Sequence, residues 1–107
     1  MNLKTLINNI LFEESDPEKV ASRLNILVSN KVSLKDIDNL LNSLKNQIRN
    51  NTTSFPAGKY GTFNFNDPKD LNKYINLILS FIKFNKTSNE YKSIYIKLQN
   101  WKNNIFN

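Results

Sequence analysis

The stretch TTSFPAGKYGTFNFND, residues 52–67, divides a chain that otherwise has helical periodicity. It contains both glycines of the protein, Gly58 and Gly61, and four of its aromatic residues. Phe55–Pro56 favours an extended backbone, because proline restricts the residue before it. Aromatic and polar residues then alternate, which gives the second half some strand character. We therefore expect residues 51–67, the aromatic loop, to form an ordered loop or at most a small hairpin.

Two interpretations of the aromatic loop are open from the sequence. Its rings could anchor a protein partner, with polar side chains around them. Alternatively the rings fold back over one end of the hydrophobic core, because a small domain needs much of its apolar surface buried. We favour the second interpretation for most of the loop and expect Lys59 and Tyr60 to face outward. The candidate protein-binding residues are Phe55, Lys59, Tyr60, Phe63 and Phe65.

Apolar residues recur at helical spacing on both sides of the aromatic loop. The cleanest pattern runs from Leu34 to Ile48, with polar residues on the opposite side. At 107 residues the chain is long enough for one core and too short for two, so we expect a single domain over residues 1–107. The fold class is an all-α bundle of about five amphipathic helices. The predicted helices span residues 2–13, 17–30, 34–50, 68–85 and 88–106.

Capping signals support these helix boundaries. Ser15 with Glu18 three residues later has the pattern of a capping box, which predicts Ser15 as the N-cap of the second helix. Asp67 before Pro68 predicts the start of the fourth helix. Tyr74, Tyr91 and Tyr95 also lie on the apolar stripes, and we expect them to pack inward with their hydroxyls at the rim of the core.

The residue types present leave little room for catalysis. The chain has neither cysteine nor histidine, which excludes a thiolate nucleophile, a cysteine-based zinc site and the commonest general base. The acidic residues sit mostly at helix starts, where the helix dipole accounts for them. The segment Gly58-Lys59-Tyr60-Gly61 lacks the spacing of a phosphate-binding loop. We expect a protein that is not an enzyme and needs neither cofactor nor metal.

The net charge of +6 is unevenly distributed. Residues 1–50 hold seven basic and six acidic side chains, whereas residues 69–107 hold seven basic and two acidic ones. This asymmetry predicts a basic face that would favour a nucleic acid or another anionic partner. Arginine is scarce, with only Arg23 and Arg49, which weighs against dedicated nucleic-acid recognition. The lysines of the predicted basic face are Lys83, Lys86, Lys92, Lys97 and Lys102.

The sequence predicts a cytoplasmic protein with no membrane span. Its longest apolar-rich run, Tyr74–Phe84, is far shorter than the roughly 20 residues that a spanning helix needs. Asn8 and Asn9 interrupt the apolar N-terminal segment before a signal-peptide core forms.

The preferred functional hypothesis is a non-catalytic protein-binding module. Small size, helical class and composition fit the general profile of bacterial or mobile-element inhibitor and immunity proteins, which neutralise a toxin or another enzyme by direct binding. The alternative is a nucleic-acid-binding protein that uses the basic C-terminal half of the chain.

Overall fold

The computed structural model describes residues 15–105, and the predicted helix over residues 2–13 lies outside them. The mostly helical architecture is confirmed: the described residues form four helices, at the places of the other four predicted ones, and a two-stranded sheet, so the five-helix bundle is not matched exactly. The elements are α1 (Pro17–Ser29), α2 (Leu34–Asn50), β1 (Phe55–Pro56), a 3₁₀ turn (Gly58–Tyr60), β2 (Thr62–Phe63), α3 (Pro68–Ser80) and α4 (Asn89–Ile105).

The aromatic loop folds into a very short hairpin. β1 and β2 pair antiparallel, with Phe55 opposite Phe63. The 3₁₀ turn between the strands begins at Gly58 with φ 59° and is followed by Gly61 with φ 84°, values that glycine adopts without strain. The hairpin is therefore the small one that the aromatic alternation allowed, with glycine at its two sharpest positions.

Helix α3 occupies the centre of the described fold. It packs against α1 and α4, while α4 also packs against α2. Each helix contributes an apolar stripe to this core, although Leu34 of α2 and Tyr95 of α4, which helical spacing also placed inward, are each 45% exposed. The buried residues of the four helices include Val20, Leu24, Ile37, Leu41, Leu44, Ile48, Leu71, Ile75, Ile78, Ile94, Leu98 and Trp101.

The rings of the hairpin belong to this core. Phe55 and Phe65 lie with their ring centres 4.8 Å apart, and each is 5.3 Å from the ring of Tyr74 on α3. Phe63 closes the cluster at 5.7 Å from Tyr74. The expectation that the Tyr74 hydroxyl lies at the rim is wrong: the residue is 0% exposed, and its hydroxyl donates to the Ser15 carbonyl at 2.5 Å. Burial raises the pKa of Tyr74 well above its usual value.

Two predicted helix boundaries need correction. The N-cap of α1 is Asp16 and not Ser15, because the Ser15 hydroxyl instead donates to the Pro56 carbonyl at 2.7 Å. Helix α3 ends at Ser80 rather than at residue 85. Beyond Ser80, the Asn25 side chain of α1 donates a hydrogen bond to the Phe81 carbonyl and accepts one from the Lys83 N–H. The ends of α1, α2 and α4 agree with the predictions to within one residue.

Candidate binding surface

The 3₁₀ turn of the hairpin is held against the start of α1 by Asp16. One carboxylate oxygen accepts the backbone N–H groups of Glu18 and Lys19 at 2.8 and 3.4 Å, which caps the helix. The other oxygen accepts the N–H of Lys59 at 3.2 Å. A Cβ atom at Gly58 would lie only 2.8 Å from that second oxygen, so glycine is required for this close approach. Asp16 therefore fixes the position of the turn relative to α1.

Side chains on the two elements extend this contact to the surface. Lys59 forms an ion pair with Glu18, and the Tyr60 hydroxyl donates to the same carboxylate at 3.3 Å. The hydrogen bond from Lys59 lowers the pKa of Glu18, and the same bond raises the pKa of Lys59. Partial burial, followed by the Glu18 charge, raises the pKa of Tyr60. At neutral pH the site thus presents a charged Glu18–Lys59 pair beside a neutral phenol.

The outer side of α1 continues this surface. Lys19, Ser22, Arg23 and Ile26 line a shallow depression, and we call these four residues the α1 face. Ser22 and Arg23 follow Lys19 by three and four residues and precede Ile26 by four and three, so all four lie on one side of the helix. Ile26 is at the middle of the solvent side and is 55% exposed.

Two further depressions adjoin the α1 face. The first reaches the 3₁₀ turn at Lys59. The second reaches Asn25, Phe81 and Lys83, where the chain leaves α3. Ser22 lines all three depressions, so they form one continuous shallow surface.

Basic side chains predominate around this surface. The ionisable residues that line it, among those the structure describes, are Lys19, Arg23, Lys59, Lys83, Asp16 and Glu18. Asp16 is 2% exposed and has both oxygens occupied by backbone N–H groups, so Glu18 is the accessible acid among the lining residues within 15–105. The surface is therefore electropositive, with an exposed isoleucine inside it.

The structure separates the five candidate residues of the aromatic loop. Phe55, Phe63 and Phe65 are buried in the core and are not accessible on the surface of the folded protein. Lys59 is exposed and Tyr60 is half-buried, and both lie at the edge of the continuous surface. The three phenylalanines of the loop therefore cover the core, as the second interpretation of the loop expects.

The five lysines of the predicted basic face are divided among different surfaces. Lys83 borders the second depression, whereas Lys97 lies 3.1 Å from Asp38 on α2. Steps of five residues turn about 140° around a helix, so Lys92, Lys97 and Lys102 cannot share one side of α4. Lys92 and Lys86 are exposed and Lys102 is partly exposed.

Sequence reasoning missed the α1 face. One signal was available. On the helix surface, Ile26 adjoins the polar Ser22 and Arg23 and lies away from the apolar stripe that contains Val20 and Leu24. The neighbouring turn and the segment after α3 come from distant parts of the chain, so their arrival beside Ile26 depends on the tertiary fold.

Among residues 15–105, no group of acidic side chains is arranged to hold a metal ion. The helices of that same range are all too short or too polar to cross a membrane. Comparison of the chain with protein-family models, with curated proteins and with solved structures gives no match.

Proposed function

We propose that this protein is a non-catalytic binding module of the inhibitor or immunity type, and that it docks a protein partner on the α1 face. The observation that carries the proposal is Ile26, 55% exposed within a continuous basic depression. A lone exposed isoleucine is common on protein surfaces. Here concave shape, an apolar centre and a charged rim coincide, which is the arrangement of a binding site with an anchor residue.

The charges specify the partner's chemistry. Lys19, Arg23, Lys59 and Lys83 surround the depressions, so the partner should present carboxylates around an apolar side chain or pocket that contacts Ile26. Complementary charges speed the encounter and select against other basic proteins. A toxin or another enzyme with an acidic surface is the class of partner that fits.

The surface is also ordered before it binds. The backbone of Lys59 is held by Asp16, and its ammonium group pairs with Glu18. The segment that carries Lys83 is held by the Asn25 side chain, which accepts the Lys83 N–H at 2.8 Å. Binding therefore costs little conformational entropy in these two segments, which favours affinity.

The test is growth rescue in cells that express the products of genes adjacent to this one, with and without the protein. Ile26→Asp places a carboxylate inside the basic rim on an exposed helix position, so the fold tolerates it while the partner's carboxylates are repelled. We expect wild type to rescue growth and bind the toxic product directly, and Ile26→Asp to lose both effects.

Leu34→Asp is the matched control. Leu34 is an exposed leucine at the first position of α2, where an acidic residue also favours the helix dipole. Rescue should survive this change. Equal rescue by wild type and Ile26→Asp would show that the α1 face is not the interface. Rescue by chemical modification of the toxic product, without direct binding, would contradict the non-catalytic role.

A further inference from the structure

A column of three aromatic rings reaches the surface along α4 and the segment before it. Phe84, in the segment before α4, meets the ring of Tyr91 edge-on at 6.2 Å. Tyr91 in turn stacks on Tyr95, with ring centres 6.5 Å apart and planes 18° apart. Phe84 and Tyr91 are half-buried against the core, whereas Tyr95 is 45% exposed. We call these three residues the ring column, and Tyr95 is its exposed end.

The expectation that Tyr95 faces inward, on the apolar stripe of α4, is wrong, because the residue is exposed. Tyr95 lies about 100° around the helix from the buried Ile94. Its ring stacks on that of Tyr91 on one side and leaves the residue 45% exposed to water.

Two lysines flank the exposed ring. Lys92 precedes Tyr95 by three residues and Lys102 follows it by seven, spacings that place all three on one side of a helix. Along the axis the two lysines are about 15 Å apart, one on each side of the ring. Within residues 15–105 neither lysine takes part in an ion pair, in contrast to Lys97.

We propose that the ring column and its flanking lysines bind single-stranded nucleic acid, independently of the α1 face. An unpaired base would stack on Tyr95, while Lys92 and Lys102 would contact the phosphates on either side of it. Aromatic stacking combined with lysine–phosphate contacts is how sequence-tolerant single-strand binding is built.

The chemistry of the site favours a single strand over a duplex. Bases inside a duplex are already stacked and cannot lie on Tyr95. Both arginines of the chain, Arg23 and Arg49, lie on other helices, so the site lacks the side chain that most often reads guanine in the major groove. Ile96, also exposed on α4, adds apolar area beside Lys92 for a second base or sugar.

The experiment measures binding of the full chain to a labelled oligothymidylate of about 16 nucleotides by fluorescence anisotropy, at about 50 and about 200 mM salt. Tyr95→Leu keeps the apolar bulk but removes the ring, and we expect it to weaken binding by about 5-fold or more. Tyr95→Phe keeps the ring and should bind like wild type. The helical circular dichroism and melting temperature of each variant confirm that it folds.

The charges are tested by the double variant Lys92→Gln/Lys102→Gln. It should weaken binding and reduce the slope of log K against log salt by about 1.4, the value for two phosphate contacts on a single strand. Lys35→Gln/Lys45→Gln on α2 removes the same charge elsewhere and should leave the slope unchanged. Ile26→Asp should also leave oligonucleotide binding unchanged. The test of oligonucleotide binding is therefore independent of the partner docking proposed for the α1 face.

Heparin serves as an anionic polymer without bases. If Tyr95→Leu weakens oligothymidylate binding but leaves heparin binding as in wild type, the ring acts by stacking. The proposal is overturned if Tyr95→Leu binds oligothymidylate as tightly as wild type, if duplex DNA binds as tightly as the single strand, or if the α2 control variant loses as much as the α4 variant.

Discussion

Asp16 shows how one side chain can serve two parts of the chain. With one oxygen it caps α1, and with the other it accepts the Lys59 N–H of the 3₁₀ turn. The Asp16 carboxylate is buried. If it were removed, the N–H groups of Glu18, Lys19 and Lys59 would lose their acceptor at a position that water does not easily reach. Buried groups left without a partner are costly.

We predict that Asp16→Ala lowers the free energy of unfolding by about 2–3 kcal/mol, the sum of a lost cap and a lost buried hydrogen bond. Asp67→Ala is the matched control, because Asp67 is an exposed cap of α3 that accepts only the Lys69 N–H. That change should cost about 1 kcal/mol. Urea unfolding followed by circular dichroism measures both, and equal losses would show that the link to Lys59 contributes nothing.

Asp16 also shows which part of the α1 cap could be predicted from the sequence. A cap for α1 was predictable from the run Ser15-Asp16-Pro17, because serine and aspartate both favour that position. The choice between them was not, since the Ser15 hydroxyl is taken by Pro56, 41 residues away. The local rule gave the site of the cap, and a long-range contact decided which residue fills it.

Among the elements, α3 is instructive because of where it stops. Apolar residues continue at helical spacing to Phe84, and no glycine or proline follows Ser80 before the next helix. The Asn25 amide nitrogen donates to the Phe81 carbonyl at 3.0 Å, and its oxygen accepts the Lys83 N–H at 2.8 Å. A side chain of α1 thus replaces the partners that a longer helix would supply.

We predict that Asn25→Ala lowers the free energy of unfolding by about 1–2 kcal/mol and speeds hydrogen exchange at the Lys83 amide. Asn25→Asp keeps the oxygen that accepts from Lys83 but loses the donor to Phe81, so its effect on Lys83 exchange should be smaller. Native-state hydrogen exchange followed by NMR distinguishes the two. Unchanged exchange at Lys83 in Asn25→Ala would show that the segment is held by its packing alone.

Prediction succeeded for the elements whose signals are local. Helical periodicity gave α1, α2 and α4 almost to the residue, and the turn residues of the aromatic loop indicated the hairpin. The end of α3 was missed because its cause lies on another helix. Leu34 was expected to face inward but is 45% exposed, since the buried stripe of α2 begins only at Ile37.

For the molecule as a whole, the hairpin is part of the core rather than an attachment to it. Phe55, Phe63 and Phe65 surround Tyr74 and are buried. The apolar excess of the loop is explained by this burial, as small domains need a large buried fraction to be stable. Of the candidate site, Lys59, Tyr60 and Lys83 were predicted at the surface from sequence, but their arrangement around α1 was not, because that surface is assembled from three separate segments.

We predict that Phe65→Ala lowers the free energy of unfolding by about 3–5 kcal/mol, the cost of removing a fully buried ring. Phe84→Ala, at a half-buried ring outside that cluster, should cost less. Wild type should unfold in one transition, with the fluorescence of the buried Trp101 and the helical circular dichroism changing together. If the two signals separated, or if Phe65→Ala were neutral, the hairpin would be an independent appendage.

The contacts of α1 with later residues have a consequence for synthesis on the ribosome. The Ser15 carbonyl, just before α1, accepts from Tyr74, which is synthesised 59 residues later. The Asn25 side chain accepts from Lys83, which is synthesised 58 residues later. At translation rates of about 5–20 residues per second, the second interval lasts about 3–12 s. During that time the nascent chain exposes the apolar sides of α1 and α2 without α3 to cover them. The packing of α1 therefore cannot be completed until α3 and the segment after it have been synthesised.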